Sequence, residues 1–165
     1  MSNSLLESLH YWSNYCENLY SNVKSKVFNY NNPVEDENLD FPLRYEEFIS
    51  VCKSLKNNKA PGSDFLTNED FKNLLSLDDP EILGSTDILK KVFEVISSFW
   101  GLERVPLKVK EVILRPFIKD STKDEHDPTN YRTISLLNTL LKIYEGIIHQ
   151  RLADFLERKH WFSPY

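Results

Sequence analysis

The chain has 165 residues, of which 41% are apolar, 13% aromatic and 27% charged, enough to bury a core and too apolar for wholesale disorder. Its formal net charge of −5 is uneven: nine Lys/Arg face sixteen Asp/Glu over residues 1–100, and eleven face nine over residues 101–165. No apolar run approaches the roughly 18 residues of a membrane span, Met1-Ser-Asn-Ser-Leu-Leu-Glu-Ser lacks the features of a secretory signal, and Cys16 and Cys52 are too few for a disulfide framework or a cysteine zinc site. Those exclusions place the chain in a reducing, intracellular compartment, cytoplasm or nucleus, with no membrane partner.

In chain order, Leu5, Leu9, Trp12, Cys16, Leu19, Tyr20, Val23 and Val27 recur at three- and four-residue steps and predict a helix from Leu5 to Phe28. The Asn- and acid-rich stretch 29–40 has no period and reads as a mobile connector. A second helix runs from Phe41 to about Lys56, with Tyr45, Phe48, Ile49, Cys52 and Leu55 on one face. The Pro61-Gly62 turn ends it. Thr67 as N-cap with Asp70 three residues on signals a short helix to about Leu75. The stretch from Asp78 to Ser85 reads as loop, and Ile88, Val92, Val95, Ile96 and Phe99 mark another helix from Asp87 to Trp100.

The pattern changes after Gly101. Residues 112–118 are short, apolar and β-rich, with Pro116 confining them to an edge or interrupted strand. Twelve polar residues, 119–130, separate them from a second strand at 131–136. A long helix then spans Asn138 to Arg158, with Leu141, Tyr144, Ile148, Leu152, Phe155 and Leu156 inward. The fold class is α+β, mostly helical with one small antiparallel β-hairpin. Its organisation is an N-terminal helix and acidic connector (1–40), a helical segment carrying the Lys-Ala-Pro-Gly turn (41–100), and a hairpin with the long C-terminal helix (101–165).

Few residues carry obvious chemistry. There is no Gly-rich phosphate loop and no Gly-x-Ser-x-Gly elbow, and His10, His126, His149 and His160 lie too far apart in sequence to form a metal motif. Asp78-Asp79 could in principle hold magnesium, but they precede Pro80 in a polar loop and read as solvated. Lys59-Ala-Pro-Gly-Ser-Asp64 is first of all a turn, in which Pro fixes φ and Gly permits positive φ; its functional reading is a basic loop against a phosphate backbone. Lys119 and Arg132 flank the polar connector. If the two β segments pair, both cations sit on one hairpin, Lys as a point charge and Arg as a bidentate fork.

One ordered set of motifs is more specific: Asn58-Lys-Ala-Pro-Gly-Ser-Asp64, Trp100, Pro106, the apolar run to Lys119, Asn130-Tyr-Arg-Thr-Ile-Ser-Leu-Leu137, Lys142-Ile-Tyr-Glu, and Arg151-Leu. It resembles the N-terminal fingers portion of reverse transcriptases from non-long-terminal-repeat (LINE-type) retrotransposons. Those enzymes read Asn-Lys-Ala-Pro-Gly-Pro-Asp, an isoleucine-rich strand ending in Lys, and Asn-Tyr-Arg-Pro-Ile-Ser-Leu. Tyr11-Trp12 and Leu19-Tyr20 resemble the pattern that precedes that domain. Ser63 and Thr133 stand where the family has proline.

The resemblance implies a fingers subdomain without its palm. It implies that Lys119 and Arg132 contact the triphosphate of an incoming deoxynucleotide, and that Lys59, Pro61 and Gly62 lie beside an RNA template. The complete enzyme would use Mg2+ for RNA-directed DNA synthesis. The family's catalytic strand and its Tyr/Phe-x-Asp-Asp hairpin, which would follow Tyr165, do not occur among these 165 residues. No catalytic residue, metal ligand or cofactor is therefore assigned here, and the chain alone is expected to be inactive. A second reading is a non-catalytic helical interaction module derived from such an element, using exposed apolar surface at Leu152, Phe155, Trp161 and Phe162.

Overall fold

A computed structural model describes residues 2–21, 37–76 and 85–161. Its elements are α1 (Ser2–Ser21), α2 (Glu37–Asp40), α3 (Tyr45–Ser54), α4 (Asn68–Ser76), α5 (Ser85–Gly101), β1 (Val112–Ile118), a 3-10 turn (Pro128–Asn130), β2 (Tyr131–Leu137) and α6 (Thr139–Arg158). β1 and β2 form a two-stranded antiparallel sheet. The α+β class and the paired segments therefore agree with the sequence reading. The end of the predicted first helix, most of the acidic connector, Asp78-Asp79 and Phe162 lie outside the described residues. Glu37–Asp40, read as part of that connector, is a single helical turn.

Two compact units divide the chain. One comprises α1 and Pro116–Ile134; the other comprises Glu35–Arg115 and Ser135–Tyr165. In the first, Trp12 meets Tyr131 edge-on with ring centres 5.1 Å apart, and the Tyr20 hydroxyl lies 2.6 Å from Thr133 Oγ1. Of the predicted apolar face of α1, Leu9 is 59% and Leu19 50% exposed, and Cys16 is half-buried.

The second unit holds the core. Phe48, Val51 and Cys52 of α3, Leu89, Ile96 and Phe99 of α5, Phe71 of α4, and Ile143 and Ile147 of α6 are all buried. Each large apolar side chain removed from water contributes about 1.5–3 kcal/mol. Burial also pushes the Cys52 thiol up to about 12, so it packs as a small apolar group. α3 and α6 approach closely at Gly146, where a Cβ would lie 2.7 Å from Val51 Cγ1.

Helix starts follow local chemistry. Thr67 and Asp70 form the expected reciprocal box: Asp70 N donates to Thr67 Oγ1 (3.1 Å) and Thr67 N to Asp70 Oδ2 (2.7 Å). The Thr67 hydroxyl, which donates to Asp70 Oδ2 at 2.7 Å, and the Thr67 N–H together hold the Asp70 carboxyl below its ordinary 3.8.

The buried face of α6 differs from the expected one. Ile143, Ile147 and Arg151 face inward with Leu141 and Phe155, whereas Leu152 is 46% exposed. Phe155, expected on an exposed apolar surface in the interaction-module reading, is buried and packs edge-on against Trp161. The reason lies in Arg151. Its guanidinium is satisfied internally, so it can occupy a core position that a hydrophobic pattern assigns to leucine.

Candidate nucleic-acid interface

Lys119 and Arg132 are brought to the same hairpin. Lys119 directly follows β1, and its backbone N–H donates to Asn130 O at 2.8 Å. Arg132 is the second residue of β2, and both side chains are exposed. The Lys119 ammonium donates to Thr129 O at 2.9 Å, so it also ties down the end of the connector.

The connector is built from successive aspartate turns. Asp120 Oδ1 accepts from Thr122 N and Oγ1, Asp124 Oδ1 from His126 N, and Asp127 Oδ1 from Thr129 N and Oγ1. These are Asx turns, in which a short carboxylate substitutes for a backbone acceptor. The N–H groups of Thr122 and Thr129 hold the carboxyls of Asp120 and Asp127 below their ordinary range. Asp127 is thus occupied by its own turn; among the described residues it forms no ion pair with Arg132.

Lys59, Pro61 and Gly62 belong to the other unit. Lys59 is exposed, Pro61 half-buried and Gly62 buried. The turn closes with Phe65 N donating to Gly62 O (3.3 Å), and Phe65 takes a positive φ of 57°. Gly62 lies so close to the start of α6 that a Cβ would fall 2.5 Å from both Asn138 N and Asn138 Oδ1, and 2.6 Å from Leu137 C. Glycine is required here for close approach.

Asn138, which sequence reasoning placed only at a helix start, fastens this turn. Its Oδ1 accepts from Ser63 Oγ and Asp64 N, both at 3.0 Å, and its Nδ2 donates to Lys108 O and Val109 O, both at 3.1 Å. Asp64 Oδ2 in turn accepts from Thr139 N at 2.9 Å, capping the first turn of α6. Ser63, at a position where the resemblance expects proline, thus supplies a hydrogen bond that proline could not.

Arg151 is the second residue whose role sequence reasoning missed. Its guanidinium donates to Glu47 Oε1 (2.7 Å) and Oε2 (2.8 Å), and to the carbonyls of Leu39 (3.2 Å), Phe41 (2.6 Å) and Pro42 (2.9 Å). It lies 5.2 Å from the Trp100 ring centre. Glu47 also accepts from Arg44 N at 2.7 Å. The Arg151 hydrogen bond, opposed by partial burial and helped by Arg44, holds the Glu47 carboxyl below its ordinary 4.5. This hub locks the chain ahead of α3 to α6 and engages all five N–H groups of Arg151.

Magnesium, implied for a complete enzyme, finds no cradle among the described residues: no group of three His, Cys, Asp or Glu side chains is gathered there. Among the same residues no helix is long and apolar enough to cross a membrane.

No family model matches the chain. It is 31% identical over 118 residues to the probable RNA-directed DNA polymerase from transposon BS of Drosophila melanogaster, a match covering 72% of this chain and 12% of that protein. It is 30% identical over 122 residues to the probable RNA-directed DNA polymerase from transposon X-element of the same organism, again 72% of this chain and 12% of the relative. The chain spans about an eighth of the length of these relatives. In sequence it is similar to the RNA-directed DNA polymerases of transposons, as the ordered motifs imply.

Proposed function

We propose that this chain is the fingers part of a retrotransposon reverse transcriptase of the LINE type, an intracellular element that grips the RNA template and the incoming deoxynucleotide. The observation that carries the reading is the hairpin, which presents exposed Lys119 and Arg132 around a connector whose aspartates are engaged by their own turns. In this reading Lys119 and Arg132 contact the triphosphate, and Lys59 with its Pro61-Gly62 turn lies beside the template. The residues supply electrostatic grip and orientation, the fork of Arg132 matching two phosphate oxygens at once. This stretch alone polymerises nothing: with primed RNA, deoxynucleotides and Mg2+ it leaves the primer unextended.

The test is RNA and deoxynucleotide binding by a Lys119→Ala/Arg132→Ala variant across a salt series. Loss of two cationic contacts to the triphosphate weakens deoxynucleotide binding and flattens its salt dependence. An unchanged affinity and slope would overturn the reading. Exposure of Trp161 (73%) and Leu152 favours the alternative, a protein-interaction module, which would show salt-insensitive association with another protein and no RNA binding.

A further inference from the structure

Asn138 grips two separate turns, and both carry lysines. On one side are Ser63 and Asp64 of the Lys59 turn; on the other are the carbonyls of Lys108 and Val109. The second turn is wound tightly by Val109 N and Lys110 N donating to Pro106 O (3.0 and 3.3 Å), with Lys110 N also donating to Leu107 O (3.0 Å). Lys108 and Lys110 are exposed. Lys142, one turn into α6, reaches Ala60 O at 3.4 Å, beside Lys59. A cleft of about 200 Å3 opens where the turns meet, lined by Ser63, Asp64, Lys108, Val109, Asn138 and Leu140.

The acids nearby do not cancel this charge. Asp64 is committed to the backbone N–H groups of Thr139 and Leu66. Glu111 pairs with Lys108 at 3.4 Å, with the lysine side chain 87% exposed, and an exposed, solvent-screened pair of that kind contributes little. A phosphate can displace it. Asn138 is buried, with its four hydrogen bonds spent on the two turns, so its place in this group is to hold them together.

We propose that Lys108 and Lys110, mounted beside the Lys59 turn by Asn138, form a second phosphate-contacting site for the backbone of single-stranded RNA. This rests on the reading of the chain as a template-gripping element. Asn138 acts as a positioning residue, and the site reads backbone charge with no base preference.

The experiment is RNA binding to the full chain over a salt series, with single-stranded oligonucleotides of two unrelated sequences. Lys108→Ala/Lys110→Ala should lower the slope of log affinity against log salt by about 1.4, which makes the affinity loss between 50 and 200 mM salt about sevenfold smaller. The loss should be equal for both oligonucleotides, with the thermal midpoint unchanged. Asn138→Asp keeps the acceptor for Ser63 and Asp64 N but turns an acceptor toward the Lys108 and Val109 carbonyls, releasing only the second turn. In a folded Asn138→Asp chain the slope should fall as in the lysine pair, and adding the lysine substitutions should lower it no further.

A slope unchanged in Lys108→Ala/Lys110→Ala, while the unaltered chain binds RNA with a salt-dependent affinity and Lys119→Ala/Arg132→Ala weakens deoxynucleotide binding, overturns this site and leaves the broader reading standing. Absence of salt-dependent RNA binding by the unaltered chain overturns both. The lysine pair is exposed and away from the core, so it decides the matter even if Asn138→Asp does not fold.

Discussion

The two units are made of equally regular secondary structure and differ in what that structure buries. α1 has a helical spacing of apolar residues, yet Leu9, Tyr11, Leu19 and Tyr20 all keep about half their surface in water. α3 and α6 enclose Phe48, Cys52, Ile143 and Ile147 completely. The lesson is that periodicity fixes which residues share a face, whereas burial needs a second face opposite. Among the described residues, α1 and residues 116–134 bring together polar turns, an edge-on contact of Trp12 with Tyr131 and a hydroxyl pair; the other unit brings together five helices and a buried guanidinium.

The sharpest way to break that comparison is at Arg151. Arg151→Ala should cost about 3–5 kcal/mol, because it leaves the Glu47 carboxylate and three carbonyls of the chain before α3 without their donor. Urea unfolding followed by tryptophan fluorescence at Trp100 reads the loss; an unaltered midpoint would mean the hub is ornamental. Next, Leu89→Ala should cost about 2–5 kcal/mol, since Leu89 is fully buried. Leu9→Ala in α1 should stay within about 0.5 kcal/mol. Equal losses at the two leucines would abolish the distinction drawn between the units.

Gly62→Ala should cost about 1–3 kcal/mol, because the new methyl meets backbone at Asn138 and Leu137 that cannot move aside. Gly101→Ala is its control: nothing lies within 4 Å of a Cβ there, so no steric loss is expected. A smaller effect is expected with pH. Glu47 is held below its ordinary 4.5 in the folded chain. Its contribution to stability is therefore complete above that value and is lost as pH falls through the depressed one. Acid titration of the unfolding midpoint should show this loss in the unaltered chain and a shallower one in Glu47→Gln.

These expectations also mark what a sequence can and cannot show. The hairpin, the helix at 138–158 and the Thr67–Asp70 box were legible because each rests on neighbours a few residues apart. Asp-x-Thr at 120–122 and 127–129 carried an equally local signal for the connector's turns. Arg151 was not legible as a core residue: a pattern of apolar positions gives preference to Leu152, and only the converging carbonyls of residues 39, 41 and 42 make a buried cation tolerable. Asn138 escaped notice for the same kind of reason, since its partners lie about 30 and 75 residues away. Of the candidate site, Lys59, Lys119 and Arg132 are all exposed. Gly62 was expected for its backbone freedom and is required by proximity to α6.

The bond from Thr139 N to Asp64 has a consequence in time. The two residues are 75 positions apart, and closing a flexible loop of that length costs roughly 4 kcal/mol of chain entropy. The first turn of α6 therefore acquires its cap only after the chain has looped back, and during synthesis the Lys59 turn waits uncommitted while everything up to residue 139 emerges. Contacts of such long sequence separation slow folding, and those made after the rate-limiting step govern how fast a protein comes apart. The clasp at Asp64 thus belongs to the persistence of the folded state, and Asp64→Ala should show itself as faster unfolding with an almost unaltered folding rate.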